Sequence, residues 1–243
     1  MFDVGQLVIV SLIASVGGFI QRVTGFGFGI FVMIFFPYII KNHTSAAAIS
    51  TLISCVVSLY NAIMYRKVIP YKKIIPLIVA AIVTIPISVK FSVLVSEYIF
   101  KKILGIVLIM LSIYFLVFSS RIKIKPTFKN GLLAGGLGGV LTGLFSTGGP
   151  PVVLYLMNAF NNTSLYFAST QFYFGLTGVY STVVRALNGI ITIDVLVFSL
   201  IGFLGSLIGN FFGKLVFDKL NTQKLKQLVY SGMIISGIIM IFG

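Results

Sequence analysis

The sequence predicts an all-α polytopic membrane protein, and three observations predict it. Apolar residues make up 58% of the 243 positions and charged ones 9%, with a mean hydropathy of +1.11. A soluble domain is about a quarter charged. The apolar residues gather in about eight blocks, roughly 6–40, 44–64, 74–95, 99–118, 131–160, 164–184, 193–213 and 225–242. Most are about 20 residues long, the length one helix needs to cross a ~30 Å hydrocarbon core. Short basic stretches separate them, where the positive-inside rule places Lys and Arg. The chain reads as a single membrane domain, 1–243.

The first block is too long for one span: as a straight helix it would reach about 52 Å. It is interrupted by Thr24-Gly25-Phe26-Gly27-Phe28-Gly29. Each glycine costs a helix roughly 1 kcal/mol against alanine, so the block reads as two legs joined at a break. In a bilayer a break is tolerated only where it is buried in protein or lines a watery cavity. The second block carries Ser50, Thr51, Ser54 and Asn61. Such groups usually bond back to their own helix or across to a neighbour. The third and fourth are ordinary spans, and Pro37, Pro76 and Pro86 predict kinks. The fifth would reach about 45 Å and is interrupted by Ser146-Thr147-Gly148-Gly149-Pro150-Pro151. Its two prolines remove two backbone donors and push Gly149 out of helical geometry. The sixth block carries Ser169, Thr170 and Gln171; the seventh and eighth are ordinary spans. Gly135, Gly138, Gly139, Gly202, Gly205 and Gly209 need only the packing role of glycine in membrane helices.

The blocks repeat. A broken block, two ordinary blocks, a basic loop and a fourth block occur in 1–122 and again in 123–243, and Gly25 and Thr147 are 122 residues apart. Pro70 matches Thr192 at the same offset, and Ser50-Thr51 answers Ser169-Thr170 at a slightly shorter one. Charge then tests the topology. With Arg22 set aside, single crossings by every block distribute the remaining 17 Lys and Arg almost evenly. If the first and fifth blocks are re-entrant hairpins, 12 fall on one side and 5 on the other, as the positive-inside rule favours. This puts both termini outside, and Arg66–Lys73, Arg121–Lys129 and Lys214–Lys226 in the cytoplasm. The two halves are then inverted, a recurring transporter plan with the site at the broken helices.

Several classes are set aside. The net charge of +14 lies in interhelical loops, so nucleic acid is not an expected partner. One histidine and one cysteine, Cys55, make neither a disulfide nor a metal cluster, and no metal or cofactor is expected. No phosphate-binding G-x-x-x-x-G-K-[ST] is present, and no catalytic set lies near the glycines, so an enzyme is not expected. The N-terminus has no basic start, and its apolar run is too long for a signal peptide. The expected partners are the lipid bilayer and a small anion, and a homo-oligomer is compatible with the sequence.

The candidate site lies at the two breaks. Freed amides and the positive end of each following half-helix suit an anion. Gly25, Gly27, Gly29, Thr147, Gly148 and Gly149 would present backbone donors, with Pro150 shaping the second break. Thr24, Ser146 and Thr147 add hydroxyls, and Phe26 and Phe28 seal the pocket. Arg22 is the one basic residue deep within a block, and an intramembrane charge is a functional candidate by default; Gln21 stands beside it. Thr51 and Gln171 are further candidate contacts. The acids Asp3, Glu97, Asp194 and Asp218 all lie outside block interiors. Arg185 and Asp194 read as a loop salt bridge, and His43 as a solvated turn residue.

Gly18-Phe19-Ile20-Gln21-Arg22-Val23-Thr24-Gly25-Phe26-Gly27-Phe28-Gly29 and Gly143-Leu144-Phe145-Ser146-Thr147-Gly148-Gly149-Pro150-Pro151 resemble the paired signatures of the sulfite exporter TauE/SafE family. The resemblance runs along the whole chain, and its second motif is the more specific. Arg22 stands where many members would carry a small residue, so no role is carried over to it. The resemblance implies a secondary transporter, an exporter of sulfite, sulfoacetate or other organosulfonates, in a bacterial inner membrane. Substrate, direction, coupling ion and oligomeric state stay open here. An anion channel and a non-transporting assembly subunit are the competing readings.

Overall fold

The computed structural model describes residues 4–118, 124–160, 162–216 and 222–242. Asp3, Arg121, Lys123, Asp218 and Lys219 lie outside them. Among the described residues every regular element is helical. The first apolar stretch is two helices, α1 (Val4–Thr24) and α2 (Phe28–Ile39). After them come α3 (His43–Met64), a 3₁₀ turn, α4 (Tyr71–Leu94) and α5 (Glu97–Ile113), which runs on into a π-helical turn, Tyr114–Phe118. A second pair follows, α6 (Phe128–Phe145) and α7 (Gly149–Ala159). The chain closes with α8 (Thr163–Leu187), α9 (Ile193–Val216) and α10 (Thr222–Phe242). Among the described residues, five stretches are long and apolar enough to cross a membrane: Val4–Thr24, His43–Met64, Tyr71–Leu94, Glu97–Val117 and Ile193–Leu215.

Local chemistry sets the helix boundaries. Asn42 caps α3 by accepting from the Thr44 and Ser45 amides, and Asn162 caps α8 from Ser164 and Leu165 in the same way. Ser96 and Thr127 cap α5 and α6. Such caps satisfy amides that a helix leaves unpaired. α4 runs unbroken through Pro76 and Pro86, and α2 through Pro37.

The helices pack in pairs: α1 on α9, α4 on α6, α3 on α8 and α5 on α10. Small residues let them approach. A side chain at Gly205 or Gly209 would run into the backbone of Ser11 or Ser15 on α1, and one at Gly135 into that of Leu77 on α4. The α5–α10 crossing brings Gly105 and Gly237 together. In a bilayer such contact replaces the hydrophobic drive between helices. α2 turns back along α1, with Phe28 and Val32 against Gly17, and α7 returns along α6, with Val152 against Gly138.

Three expectations are corrected. Gly149 is not pushed out of helical geometry: it is the first residue of α7, and Pro150 and Pro151 sit in the first turn, where a missing N–H costs the helix nothing. His43 is not solvated: it lies buried in the first turn of α3, its Nε2 3.0 Å from the Ser92 carbonyl oxygen and its ring 4.2 Å from that of Phe100. The Asn42 cap starts the helix one residue before the apolar block and turns His43 inward. Arg185 does not pair with Asp194, which is exposed. The guanidinium is fully buried, and its Nη2 donates to the carbonyl oxygens of Thr142 at 3.2 Å and Gly143 at 2.8 Å. α8 runs past the end of its apolar block to Leu187, which carries Arg185 into the interior.

Gly209→Val is expected to destabilise through collision with the α1 backbone, at the upper end of the about 1–3 kcal/mol that overpacking costs. At Gly136 an added Cβ meets only ordinary contacts with Ala80 and Thr84, and Gly136→Ala is expected to be near neutral. The thermal midpoints of the two detergent-solubilised variants test the contrast.

Candidate functional site

The two breaks meet. Gly29, in the first turn of α2, lies so close to the Ser146 carbonyl oxygen that a Cβ there would run into it. Gly149, at the start of α7, faces Phe26 and Phe174, each 3.4 Å from where its Cβ would stand. Between them is a cavity of about 50 Å³, room for more than one water at roughly 10–15 Å³ each. Gln21, Phe26, Gly27, Phe28 and Gly29 line it from the first break. Ser146, Thr147, Gly148 and Gly149 line it from the second, and Thr51 lines it from α3.

Each break is held from outside itself. Gly25 and Gly27 take positive φ, 83° and 96°, a conformation glycine adopts without steric cost. The Gly25 carbonyl accepts from Gln171 Nε2 at 2.8 Å, and Asn61 Nδ2 in turn donates to Gln171 Oε1 at 3.4 Å. At the second break Ser146 is left-handed, with φ 58°. Its hydroxyl is bonded to that of Thr51 at 3.0 Å. The Ser146 and Thr147 amides are spent on the carbonyls of Thr142 and Leu141.

What the cavity offers a ligand is therefore donors. The caps of α2 and α7, Gly27 and Gly148, bring no side-chain hydrogen bond to the first turn. Both positive helix ends face the space. α2 contributes the first-turn amides of Phe28, Gly29 and Ile30. α7 contributes that of Gly149, since Pro150 and Pro151 have none. Two buried side-chain atoms lack partners here, Gln21 Oε1 and Thr147 Oγ1. Gln21 Nε2 donates to Ser58 Oγ at 3.1 Å. A hydroxyl can also donate, so turning the amide over presents its NH2 to the cavity and keeps the Ser58 bond.

Five candidates stand away from the cavity lining. Gly25 and Gln171 form the clamp just described. Thr24 Oγ1 is spent on the Ile20 carbonyl at 2.9 Å and on the backbone of Phe26. Pro150 is buried in the first turn of α7. Arg22 is only partly buried; its guanidinium lies 5.7 Å from the Phe167 ring centre, and its stem packs on Gly213. One residue is 100° of helix, and that step turns Arg22 away from the side that Gln21 takes. The lining also includes Ser58, Thr142, Phe174 and Thr177, which the motif reading passed over. A signal was present: Thr51, Ser54 and Ser58 recur at helical spacing on one face of α3, and Phe174, Thr177 and Gly178 do so on α8.

A second space, about 710 Å³, opens at one end of the bundle. Gln6 of α1, Ile39–Asn42 after α2, Ser45 and Ile49 of α3, and Thr192–Val195 at the start of α9 line it.

A family model described as Sulfite exporter TauE/SafE matches residues 10–240. The chain belongs to the sulfite exporter TauE/SafE family. With its long apolar helices, this makes it a multi-pass membrane protein of a transporter family. No curated protein and no solved structure matches it. Both glycine breaks lie inside the region that defines this TauE/SafE protein.

Gln171→Leu is expected to strand the Gly25 carbonyl and the Asn61 amide, at about 1–3 kcal/mol. Hydrogen exchange at residues 25–29 should quicken by about tenfold or more. Thr170→Val, whose hydroxyl bonds only its own helix at Tyr166, should leave that exchange unchanged.

Proposed function

We propose that this TauE/SafE protein is a secondary transporter that exports small sulfur-containing oxyanions, sulfite or organosulfonates, across a bacterial inner membrane. The observation that carries the reading is the cavity between two half-helix N-termini, lined by uncapped amides and hydroxyls and by no carboxylate. Such a lining suits an oxyanion, whose oxygens accept from every side. Gln21, Gly27, Gly29, Thr51, Ser146, Thr147, Gly148 and Gly149 bind the anion. Phe26 and Phe28 close over it. Gly25, Thr24, Pro150 and Gln171 hold the breaks in shape.

Two inverted halves, 1–122 and 123–243, move against each other to expose the cavity to one side and then the other. The packing supports this. Exchanging α1 for α6, α3 for α8, α4 for α9 and α5 for α10 turns the α1–α9 contact into α6–α4 and leaves the α3–α8 and α5–α10 pairs unchanged. The clamps exchange too: Gln171 of α8 holds the first break, and Thr51 of α3 the second. Both broken pairs are re-entrant. The start of α1 and the end of α2 line one space together, and Lys73 Nζ donates to the Ala159 carbonyl at 3.2 Å, joining the start of α4 to the end of α7. With the basic loops in the cytoplasm, the termini are outside. The exposed apolar faces, such as Ile75, Val79, Val83 and Ile87 of α4, meet lipid.

The test is radiolabelled sulfite flux in proteoliposomes. Wild type should show saturable flux with counterflow exchange. Gly149→Ala, which fits beside Phe26 and Phe174, should retain it, and Gly149→Leu, which fills the cavity, should abolish it. Arg22→Ala should stay within a factor of about three, having lost only a partly exposed ring contact. Flux without saturation or exchange would favour a channel, and no flux from folded protein an assembly subunit.

A further inference from the structure

Arg185 carries more hydrogen-bonding capacity than the fold uses. It is fully buried, and no carboxylate among the described residues is buried with it. Of the five guanidinium N–H groups, the two on Nη2 hold the Thr142 and Gly143 carbonyls. Nε and Nη1, with the other three, have no partner. A cation capping the C-terminal end of α6 is a structural role, but Nη2 alone fulfils it. An unpaired buried charge is costly, and the idle donors call for an acceptor the protein does not supply.

The surroundings say which acceptor. Thr142, whose carbonyl Nη2 holds, also lines the cavity between the breaks. Thr177 lines it from α8. One turn on is Ser181, fully buried and with an unpartnered hydroxyl, and one turn further is Arg185. Residues four apart share a helix face, so polar groups run along α8 from the cavity to the guanidinium.

We infer that Ser181 and Arg185 form a second oxyanion station beside the cavity, occupied as the anion passes along α8 towards the end at Leu187. Nη1 offers two charged N–H donors to an anion and the Ser181 hydroxyl a third, while Nε–H, on the opposite edge of the guanidinium, is a separate donor. The ligand class is an oxyanion, whose oxygens accept from charged N–H and hydroxyl donors, such as sulfite, a sulfonate or sulfate. The inference rests on the transport reading above, and the experiment separates the two.

Radiolabelled sulfite uptake into proteoliposomes is measured for wild type, Arg185→Gln, Arg185→Lys and Ser181→Asp, with sulfate and methanesulfonate as competitors. Ser181→Asp leaves the guanidinium on its carbonyls but cancels its charge, so it tests the station without removing the α6 cap. Size exclusion and thermal midpoint report folding. Arg185→Gln and Ser181→Asp should each raise KM by about tenfold or more, the scale of a lost charge-assisted bond. Competition by the sulfate dianion should weaken more than that by the methanesulfonate monoanion, because the lost attraction scales with charge. Arg185→Lys, which keeps the charge without the planar array of donors, should fall between. A wild-type KM with an unchanged competitor ratio in both Arg185→Gln and Ser181→Asp would overturn the station and leave transport standing. So would a fall in maximal rate alone. Absence of flux in folded wild type would overturn the transport reading and the station with it.

Discussion

A bilayer has no water for a broken backbone, and this constraint organises the molecule. A helix that stops at mid-depth leaves carbonyls at its end and amides at the start of the next helix, each costly to leave unpaired in hydrocarbon. Here the carbonyls are satisfied from neighbouring helices: Gly25 by Gln171, Thr142 and Gly143 by Arg185. The amides at the starts of α2 and α7 receive no side-chain cap. They face the space that both breaks line. Satisfying one set of groups and withholding the other turns a defect in two helices into a donor-lined cavity.

The rest of the bundle brings the breaks to that place. Close crossings at Gly205 and Gly209 fix α9 on α1, and Gly135 fixes α6 on α4. α3 and α8, packed on each other, supply both the clamps and much of the cavity wall. Hydrogen-bonded side chains therefore do at the centre what small residues do at the periphery. Replacing either kind is felt through position as much as through lost contact.

Much of this was legible in the sequence because its cause is local. Three glycines within Gly25–Gly29 and the pair Pro150-Pro151 interrupt helices on their own account, so both breaks could be placed from residue type alone. The side chains were harder, since direction depends on phase and on helix length. Arg22 stood next to the first break, yet it faces Phe167 because Gln21 takes the inward position. Arg185 stands at the end of an apolar block, where hydropathy alone places a loop. The helix continues past it, and burial is possible because the carbonyls of α6 receive the guanidinium. His43 was misplaced for the related reason that the Asn42 cap, not hydropathy, begins α3. Ser58 and Thr177 were missed because they lie a turn or more from any motif, and only the face they share with Thr51 or Phe174 connects them to it.

The contact between Gly29 and the Ser146 carbonyl has a mechanical consequence. No side chain stands between the two backbones, so the first turn of α2 and the residue that ends α6 touch with less clearance than a methyl group. Displacement of one toward the other is transmitted at once, with no soft side chain to absorb it. Position at one break is thereby tied to position at the other through backbone alone.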